Sequence, residues 1–272
     1  RRNAQFELAS RGGEALNVLA KVASDRSNPL LARLHAIWGL GQIGRRMRLD
    51  GKPSETWGRL GGLLKDGSPE IRAQAASVLG DLREPLAFND LIALLPDDSP
   101  RVRLFAAIAL GKLGNIEATS PLLALIRENN DSDPALRHAA VMGLVGLRNV
   151  AGLLAASKDH SAAVRMGILL ALRRLGSPEV SRFLSDSDPR LVQEAARSIH
   201  DTPIDGGALS KLATLRIRPD DPATHNRRIL DANLRIGGLL GAARIAEVAS
   251  RPEFSEATRL LALDMLANWS KP

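Results

Sequence analysis

The sequence predicts an all-α fold in which about eight helix pairs stack into a solenoid. Six times, an Asp or Glu stands six residues before an Arg that opens an apolar helix. The six pairs are Asp66/Arg72, Asp97/Arg103, Asp131/Arg137, Asp159/Arg165, Asp221/Arg227 and Glu253/Arg259. A Leu follows each of these arginines by seven residues, and the motif recurs at intervals within the roughly 20 to 50 residues typical of repeat proteins.

Three weaker starts complete the series. Arg33 has Ser27 in place of the acid, Asp186 is followed by Val192 in place of the arginine, and Arg1 shares the later offsets. Because Val192 cannot pair with a carboxylate, we expect a softer joint between units at that point. The repeats leave no need for an inter-domain linker, so one solenoid domain is predicted over residues 1–272.

The clearest unit runs from Ser68 to Ser99. Apolar residues spaced by three and four predict an inner helix that opens at Pro69, a residue tolerated in a first helical turn. Pro85 ends that helix and opens an outer helix that continues to Leu95. The short repeat intervals that follow predict short outer helices near Val150 to Ser157 and Pro178 to Leu184.

Small residues predict that neighbouring inner helices approach closely. Six of the eight main helix starts carry Ala three residues after the Arg or its replacement: Ala36, Ala75, Ala106, Ala140, Ala195 and Ala262. An Ala at such a position allows axes near the short end of the usual 8 to 10 Å range. Ile168 and Leu230 take the place of Ala in the other two units.

Composition excludes several kinds of chemistry. The chain has no Cys, which rules out disulfides, thiolate metal sites and covalent haem attachment within it. No apolar run approaches the roughly 18 residues of a membrane-spanning helix. The formal charge of +7 permits an anionic partner without requiring one, because acidic residues are interspersed with the basic ones.

The segment DDSPRVRLFAAIALGKLG, from Asp97 to Gly114, resembles the bacterial form of the HEAT repeat, and the resemblance extends over nearly the whole chain. It implies a right-handed α-α superhelix of the HEAT and armadillo-like class. It also implies that the turn Asp and the helix Arg form a structural ladder between neighbouring units. An Asp before a helix can accept hydrogen bonds from exposed amides, and a guanidinium can donate two to a carboxylate, which fits that role.

Candidate catalytic residues are not evident. The five histidines (His35, His138, His160, His200 and His225) fall in different units with no paired metal-binding spacing. No phosphate-binding loop or nucleophile elbow is present in the sequence. We therefore expect no catalytic residue, no metal site and no cofactor site in this segment, and binding is the expected activity.

The expected binding surface is the concave face formed by the inner helices. Positions one, two, five and nine after each Arg point away from the buried stripe, and most of them should be polar. Several are instead apolar: Trp38, Leu104, Phe105, Ile108, Met142, Met166 and Leu170. These residues form either a contact surface for a partner or packing between adjacent inner helices, and the sequence leaves both interpretations open.

Basic residues suggest a second surface. Arg45, Arg46, Arg48, Lys52 and Arg59 cluster in the longest interval between units, where we expect a basic loop. Nucleic acid is one candidate partner. A solvated loop or one that touches an acidic neighbour is favoured, because the tryptophans that a HEAT-like DNA glycosylase would use for base stacking are scattered.

The ends of the chain suggest a larger parent. The opening RRNAQFELASRG and the close LLALDMLANWSKP belong to inner-type helices, Arg1 to Ser10 and Phe254 to Trp269, and free-standing solenoids usually end in polar caps. Both segments resemble the HEAT region of large planctomycete-type, sorbosone dehydrogenase-like proteins. In that family a propeller precedes the repeats and a cytochrome c domain follows, so the resemblance implies haem c and a quinone cofactor only in the parent.

The combined expectation is a non-catalytic scaffold, most simply the spacer between the two redox modules of such a parent. Its partners would then be flanking domains of the same chain, and export to the periplasm would follow from the parent. None of the parent family's functional residues lies within this segment. The alternatives are a free-standing protein-binding adaptor and a nucleic-acid-binding HEAT protein or glycosylase relative.

Overall fold

The structure, a computed structural model, describes residues 2–50, 56–202, 204 and 207–269. It divides into two compact units, Arg1–Leu153 and Leu154–Pro272. Every regular element of the described residues is helical, and no strand occurs among them. Among the described helices, none combines the length and the apolar composition of a membrane span. The prediction of a single domain over 1–272 stays a prediction.

The first unit alternates longer inner helices with shorter outer ones. Its helices are α1 (Arg2–Ser10), α2 (Leu16–Ser24), α3 (Leu30–Leu49), α4 (Trp57–Leu60), α5 (Pro69–Asp81), α6 (Phe88–Ala93), α7 (Pro100–Leu113), α8 (Thr119–Asn129), α9 (Pro134–Leu147) and, reaching the unit boundary, α10 (Val150–Ala155). Short 3-10 turns cover Gly12–Ala15, Gly61–Lys65, Pro85–Ala87 and Ile116–Ala118.

The second unit continues the pattern. Its helices are α11 (Ala162–Arg174), α12 (Pro189–Asp201), α13 (Ala208–Ala213), α14 (Ala223–Ile236), α15 (Gly238–Ser250) and α16 (Glu256–Ala267). The predicted outer helix near Pro178 to Leu184 is a 3-10 helix over Pro178–Ser185. At the end of this unit Phe254, Ala262 and Met265 pack with α14 and α15 residues into a local core.

The inner helices begin in a repeated way. In α5, α7 and α12, Pro occupies the first turn, where its missing N–H costs no intrahelical hydrogen bond. A turn carboxylate two residues before the N-cap accepts a hydrogen bond from the backbone N–H of the N-cap residue. Asp66 accepts such a bond from Ser68 at 2.9 Å, and Asp97 accepts one from Ser99 at 2.9 Å. The turn acid thus prepares the entry of the chain into each inner helix.

The inner helices α5, α7 and α9 pack closely through small residues. The alanines predicted at the third position after each start are all at most 2% exposed. Close approaches also lie further along: a Cβ on Gly80 would stand 2.7 Å from the Cα of Ala109, and a Cβ on Gly111 would stand 2.7 Å from the Cα of Gly143. Glycine is therefore required where these helices cross.

One prediction about a segment is wrong in detail. The interval expected to form a basic loop is helical over much of its length, because α3 continues through Arg45, Arg46 and Arg48 to Leu49. Arg59 lies in α4. Lys52 lies outside the described residues. Ile43 and Gly44 are the last buried residues of α3, and of the helical residues that follow them only Met47 is partly buried.

Candidate functional site

An arginine ladder joins the turns of successive repeats. Arg33 Nη2 lies 2.6 Å from Asp66 Oδ2, Arg72 Nε lies 2.8 Å from Asp97 Oδ2, and Arg165 Nε lies 2.8 Å from Asp186 Oδ2. In each case a second guanidinium nitrogen reaches the other carboxylate oxygen, at 3.4, 2.8 and 3.0 Å. Each rung is therefore a two-hydrogen-bond contact between one repeat and the next turn.

The same arginines also bind the backbone of their own repeat. Arg72 Nη1 donates to the carbonyl oxygen of Asp66 at 2.8 Å, and Arg165 Nη1 donates to that of Asp159 at 2.8 Å. Arg33 Nε donates to the carbonyl oxygen of Ala23 at 2.8 Å. One side chain thus satisfies carbonyl groups left free at the end of an outer helix and a carboxylate in the next turn.

The ladder holds its carboxylates ionised. Burial alone would raise the pKa of Asp66, Asp97 and Asp186, but hydrogen bonds from the paired arginine and from a backbone N–H outweigh it and lower the pKa of each carboxyl. The pKa of Arg72 and of Arg165 is correspondingly raised, first by the hydrogen bonds to their carboxylates. These groups therefore stay charged across the physiological pH range.

Other predicted ladder residues are placed differently. Arg103 donates from Nε to the carbonyl oxygen of Leu95 at 3.0 Å, and its Nη2 lies 3.0 Å from Glu128, off the axis of a hydrogen bond. Arg137 pairs at 3.0 Å with Asp131 of its own turn.

Two later repeats differ as well. Arg259 Nε donates to the carbonyl oxygen of Ala249 at 3.2 Å, while Glu253 lies 3.6 Å from Arg251. At the remaining start, α14 shifts the repeat by one residue. Buried Asn226, not the exposed Arg227, stands four residues after the N-cap and donates to the carbonyl oxygen of Arg218 at 2.7 Å.

The predicted apolar face of the first unit consists of partly buried side chains. Trp38, Leu104, Phe105, Ile108 and Met142 each pack partly against the protein and present the remainder of their surface. In the second unit, Met166 and Leu170 are partly buried in the same way. Each of these side chains is therefore partly packed against the protein and partly accessible to a partner, which fits both the contact and the packing interpretation.

A chain of polar contacts crosses that face in the first unit. Trp38 Nε1 donates to Gln74 Oε1 at 2.9 Å, and Gln74 Nε2 donates to Glu70 Oε1 at 2.9 Å. Arg101 Nε then donates to Glu70 Oε2 at 2.7 Å, while its guanidinium carbon lies 5.1 Å from the ring centre of Phe105. The chain connects α3, α5 and α7 and fixes the orientation of Trp38 and Phe105.

The described residues of the predicted basic loop contact different parts of the protein. Arg48 Nη1 donates to the carbonyl oxygen of Leu82 at 2.7 Å, and Arg59 Nη2 donates to Asn17 Oδ1 at 3.1 Å. Arg45 lies 3.8 Å from Asp81, and Arg46 is exposed. Of these contacts, the one between Arg45 and Asp81 is to an acidic neighbour, and the partner of the basic cluster stays a prediction.

The histidines occupy unrelated surroundings. His35 Nδ1 lies 2.7 Å from Gln5 Oε1 and packs edge-on against Trp38, whereas His138 and His160 are exposed. His200 lies between Asp201 and Asp231, and His225 is buried. Within the described ranges, no group of three or more His, Cys, Asp or Glu side chains is placed to hold a metal ion.

The family model for HEAT repeats matches residues 59–133 and 128–200, which together span just over half of the chain. The chain belongs to the HEAT-repeat family. The matched residues include the Arg72/Asp97 and Arg165/Asp186 rungs and the apolar face of α7. No curated protein sequence matches the chain.

Several solved structures resemble the HEAT chain over most of its length. Human deoxyhypusine hydroxylase in complex with glycerol is 19% identical, with 97% of this chain and 98% of that chain covered at a TM-score of 0.37. The CpcE and CpcF complex of phycocyanin lyase from Nostoc sp. PCC7120 is 26% identical, with 79% and 88% covered at 0.38. A designed armadillo repeat protein is 15% identical, with 93% and 98% covered at 0.41.

The polar residues of the HEAT inner face were not predicted. Glu70, Gln74 and Arg101 carry the contacts that position Trp38 and Phe105. A signal for one of them exists in the sequence, because Gln74 stands two residues after Arg72, at the offset that Phe105 takes after Arg103. Comparison of residues at equal offsets in different repeats therefore assigns Gln74 to the same helix face as Phe105.

Proposed function

We propose that this HEAT solenoid is a non-catalytic protein-interaction scaffold and, more specifically, a spacer between a dehydrogenase-like propeller and a cytochrome c domain. The observation that carries the scaffold role is the apolar face of α7, where Leu104, Phe105 and Ile108 are each only partly buried. Apolar side chains grouped on one helix face of a repeat protein favour a protein partner.

The polar chain beside this face supports a preformed contact surface. Glu70 and Arg101 hold the Phe105 ring under a guanidinium, so that little side-chain entropy remains to be lost on binding. Aromatic and arginine side chains are the types most often responsible for binding energy at protein interfaces. A partner that covers Trp38 and Phe105 would bury both.

The spacer role rests on the resemblance of the first and last segments to the HEAT region of sorbosone dehydrogenase-like proteins. Haem c and a quinone would be held by the flanking modules of the parent, and the export of the parent would place this segment in the periplasm. The solenoid itself would contribute the distance and orientation between the two modules. A free-standing adaptor would use the same face for a separate protein.

The complete reading frame on both sides of residues 1–272 is the first test. A propeller before the segment and a C-x-x-C-H motif after it are expected from the spacer role. Hydroxyl-radical footprinting of the intact polypeptide should then find Trp38, Phe105 and Met142 less reactive than in a protein cut from its flanking modules. Start and stop codons close to the segment would eliminate the spacer role and leave the adaptor.

Variants separate the contact role of the face from its packing role. Replacing both Leu104 and Ile108 with Ser should weaken binding of the partner module at least about tenfold, equivalent to 1.4 kcal/mol. Ile116→Ser provides the control, because Ile116 is 57% exposed in the turn before an outer helix. Unchanged affinity with a lowered thermal midpoint in the double variant would assign the face to packing alone.

A further inference from the structure

A cavity of about 320 Å³ lies in the second unit where the arginine ladder is interrupted. One wall is the turn before α12, including Asp186 and Ser187, and the other is formed by the segment before α14 and its first turn, including Asp221 and His225. Val192 lines the cavity between them. It occupies the fourth position after the N-cap of α12, the place that Arg72 and Arg165 hold in their repeats.

The cavity exists because Val192 fills less space than arginine and donates no hydrogen bond. Arg72 donates to the carbonyl oxygens of Asp66 and Gly67, at 2.8 and 3.4 Å, and to the carboxylate of Asp97. Arg165 makes the equivalent bonds to Asp159, His160 and Asp186. Three acceptor groups, two backbone carbonyls and one carboxylate, thus surround each guanidinium in these two rungs.

The corresponding acceptors around Val192 have no donor. The carbonyl oxygens of Asp186 and Ser187, which correspond to those of Asp66 and Gly67, accept no hydrogen bond from the residues described. The carboxylate of Asp221 lines the opposite wall and makes no ion pair or hydrogen bond with any described side chain or amide. A guanidinium placed in the cavity would find two carbonyl oxygens and a carboxylate.

The deep wall of the cavity carries no positive charge at neutral pH. His225 is 5% exposed, and its Nδ1 is buried without a hydrogen-bond partner among the described residues. Burial lowers the pKa of this imidazole, with Asp221 opposing the shift and Arg228 adding to it. Because this imidazole is neutral, Asp221 is the charged group that a cation would meet at this wall of the cavity.

We propose that the cavity beside Val192 binds the guanidinium group of an arginine from a partner, which takes the place of the arginine that this repeat lacks. The exposed Arg216 and Arg218 also line the cavity, where their guanidinium groups would attract a carboxylate carried by the incoming arginine. The site therefore fits an arginine side chain that carries a carboxylate, such as a C-terminal arginine, or an arginine within an acidic peptide. This site is independent of the proposed scaffold face on α7.

Two small probes test the site on the chain as it stands. N-acetyl-arginine amide represents an internal arginine, and N-acetyl-arginine with its free carboxylate represents a C-terminal one. Titration followed by the 15N and 1H signals of the His225 ring should show saturable binding of at least one probe. Tighter binding of the free carboxylate would assign the source as a C-terminal arginine, and equal binding would assign an internal one.

Variants of Val192 and Asp221 provide the controls. V192R supplies the missing guanidinium from the chain itself, so probe binding should fall at least tenfold and the thermal unfolding midpoint should rise. D221N should also weaken the probe at least tenfold, whereas V192A should retain it. Absence of saturable binding by either probe would overturn the proposal, as would equal binding to V192R or saturable binding of acetate in place of the arginine probes.

Discussion

At the scale of single residues, each complete rung of the arginine ladder concentrates several hydrogen bonds on one guanidinium. The side chains of Arg72 and Asp97 are 17% and 10% exposed, so water can replace little of what either loses when its partner is removed. Hydrogen bonds that involve a charged group typically contribute about 1.5 to 3 kcal/mol. We expect Arg72→Ala to lower the free energy of unfolding by about 2 to 3 kcal/mol.

An exposed ion pair provides the matched control for this prediction. Lys65 Nζ lies 3.0 Å from Asp90 Oδ1, but the lysine side chain is 77% exposed. Lys65→Ala should cost about 0 to 1 kcal/mol, because water screens such pairs. Urea denaturation measures both values. Equal costs for the two variants would show that the rung adds no more than a surface pair.

His225 gives stability a pH dependence of predictable sign. Its pKa in the folded protein is lowered from 6.5 by burial, so the unfolded chain binds the proton more readily. Stability is therefore fully present above about pH 6.5 and falls as the pH decreases toward the folded pKa, by at most about 1.4 kcal/mol per pH unit. His225→Asn should flatten the dependence of unfolding free energy on pH between 7 and 5.

Exposed His138 serves as the control for the pH prediction, because His138→Asn alters a side chain that is in solvent in the folded protein. That variant should show the same dependence of unfolding free energy on pH as the unmutated protein. The sign is the same for the ladder acids, but the pH range is lower: the lowered pKa values of Asp66, Asp97 and Asp186 give stability that is present above about pH 4 and lost on further acidification. If the unfolding free energy of H225N depended on pH as steeply as that of the unmutated protein, the assignment to His225 would be contradicted.

At the scale of elements, the crossing of α7 and α9 depends on glycine. A Cβ at Gly111 would stand 2.7 Å from the Cα of Gly143 and 2.8 Å from its carbonyl oxygen, both in backbone that cannot rotate away. Overpacking of this kind costs about 1 to 3 kcal/mol, more than the roughly 1 kcal/mol that Ala gains over Gly in a helix. Gly111→Ala should therefore lower the urea midpoint.

Gly58 in α4 is the matched control, since a Cβ there would meet no atom within 4 Å. Gly58→Ala should be neutral or stabilising, because only helix propensity changes. If G111A were as stable as G58A, the two helices could move apart without loss of packing.

The helices themselves follow from local sequence, whereas their exact starting points depend on tertiary contacts. Ser-Pro and Asp-Pro pairs mark the starts of α5, α7, α9 and α12 in the sequence. The sequence does not predict the displaced start of α14, because Asn226 donates a hydrogen bond to a carbonyl group and takes the place expected of Arg227. The sequence predicts a loop for the basic segment 45–48, but α3 continues through it, and Arg45 and Arg48 contact Asp81 and Leu82 at the end of α5.

At the scale of the whole molecule, periodicity predicts the HEAT class because each repeat reuses one pattern of contacts. Periodicity cannot predict the cavity beside Val192, which depends on the walls of two successive turns, although the missing arginine is visible in the sequence. Nor could it predict the contact chain from Trp38 to Arg101, since a hydrogen bond between repeats requires the helix crossing to be known.

The described contacts join elements of the same or adjacent repeats, so destabilisation should remain local. Arg165→Ala breaks a rung between α11 and the turn before α12. A cost of about 2 kcal/mol would raise native-state amide exchange in these two helices about 30-fold. Amides of α5 and α7 should change by less than about twofold.

Arg72→Ala should produce the reverse pattern, with faster exchange in α5 and α7 and little change in α11 and α12, because its rung connects α5 to the turn before α7. The two variants are thus controls for each other, with the same chemical change at equivalent positions of different repeats. Hydrogen exchange monitored by mass spectrometry resolves the helices through their separate peptides. If either substitution accelerated exchange equally in all four helices, the chain would open as one cooperative body and not as coupled neighbouring repeats.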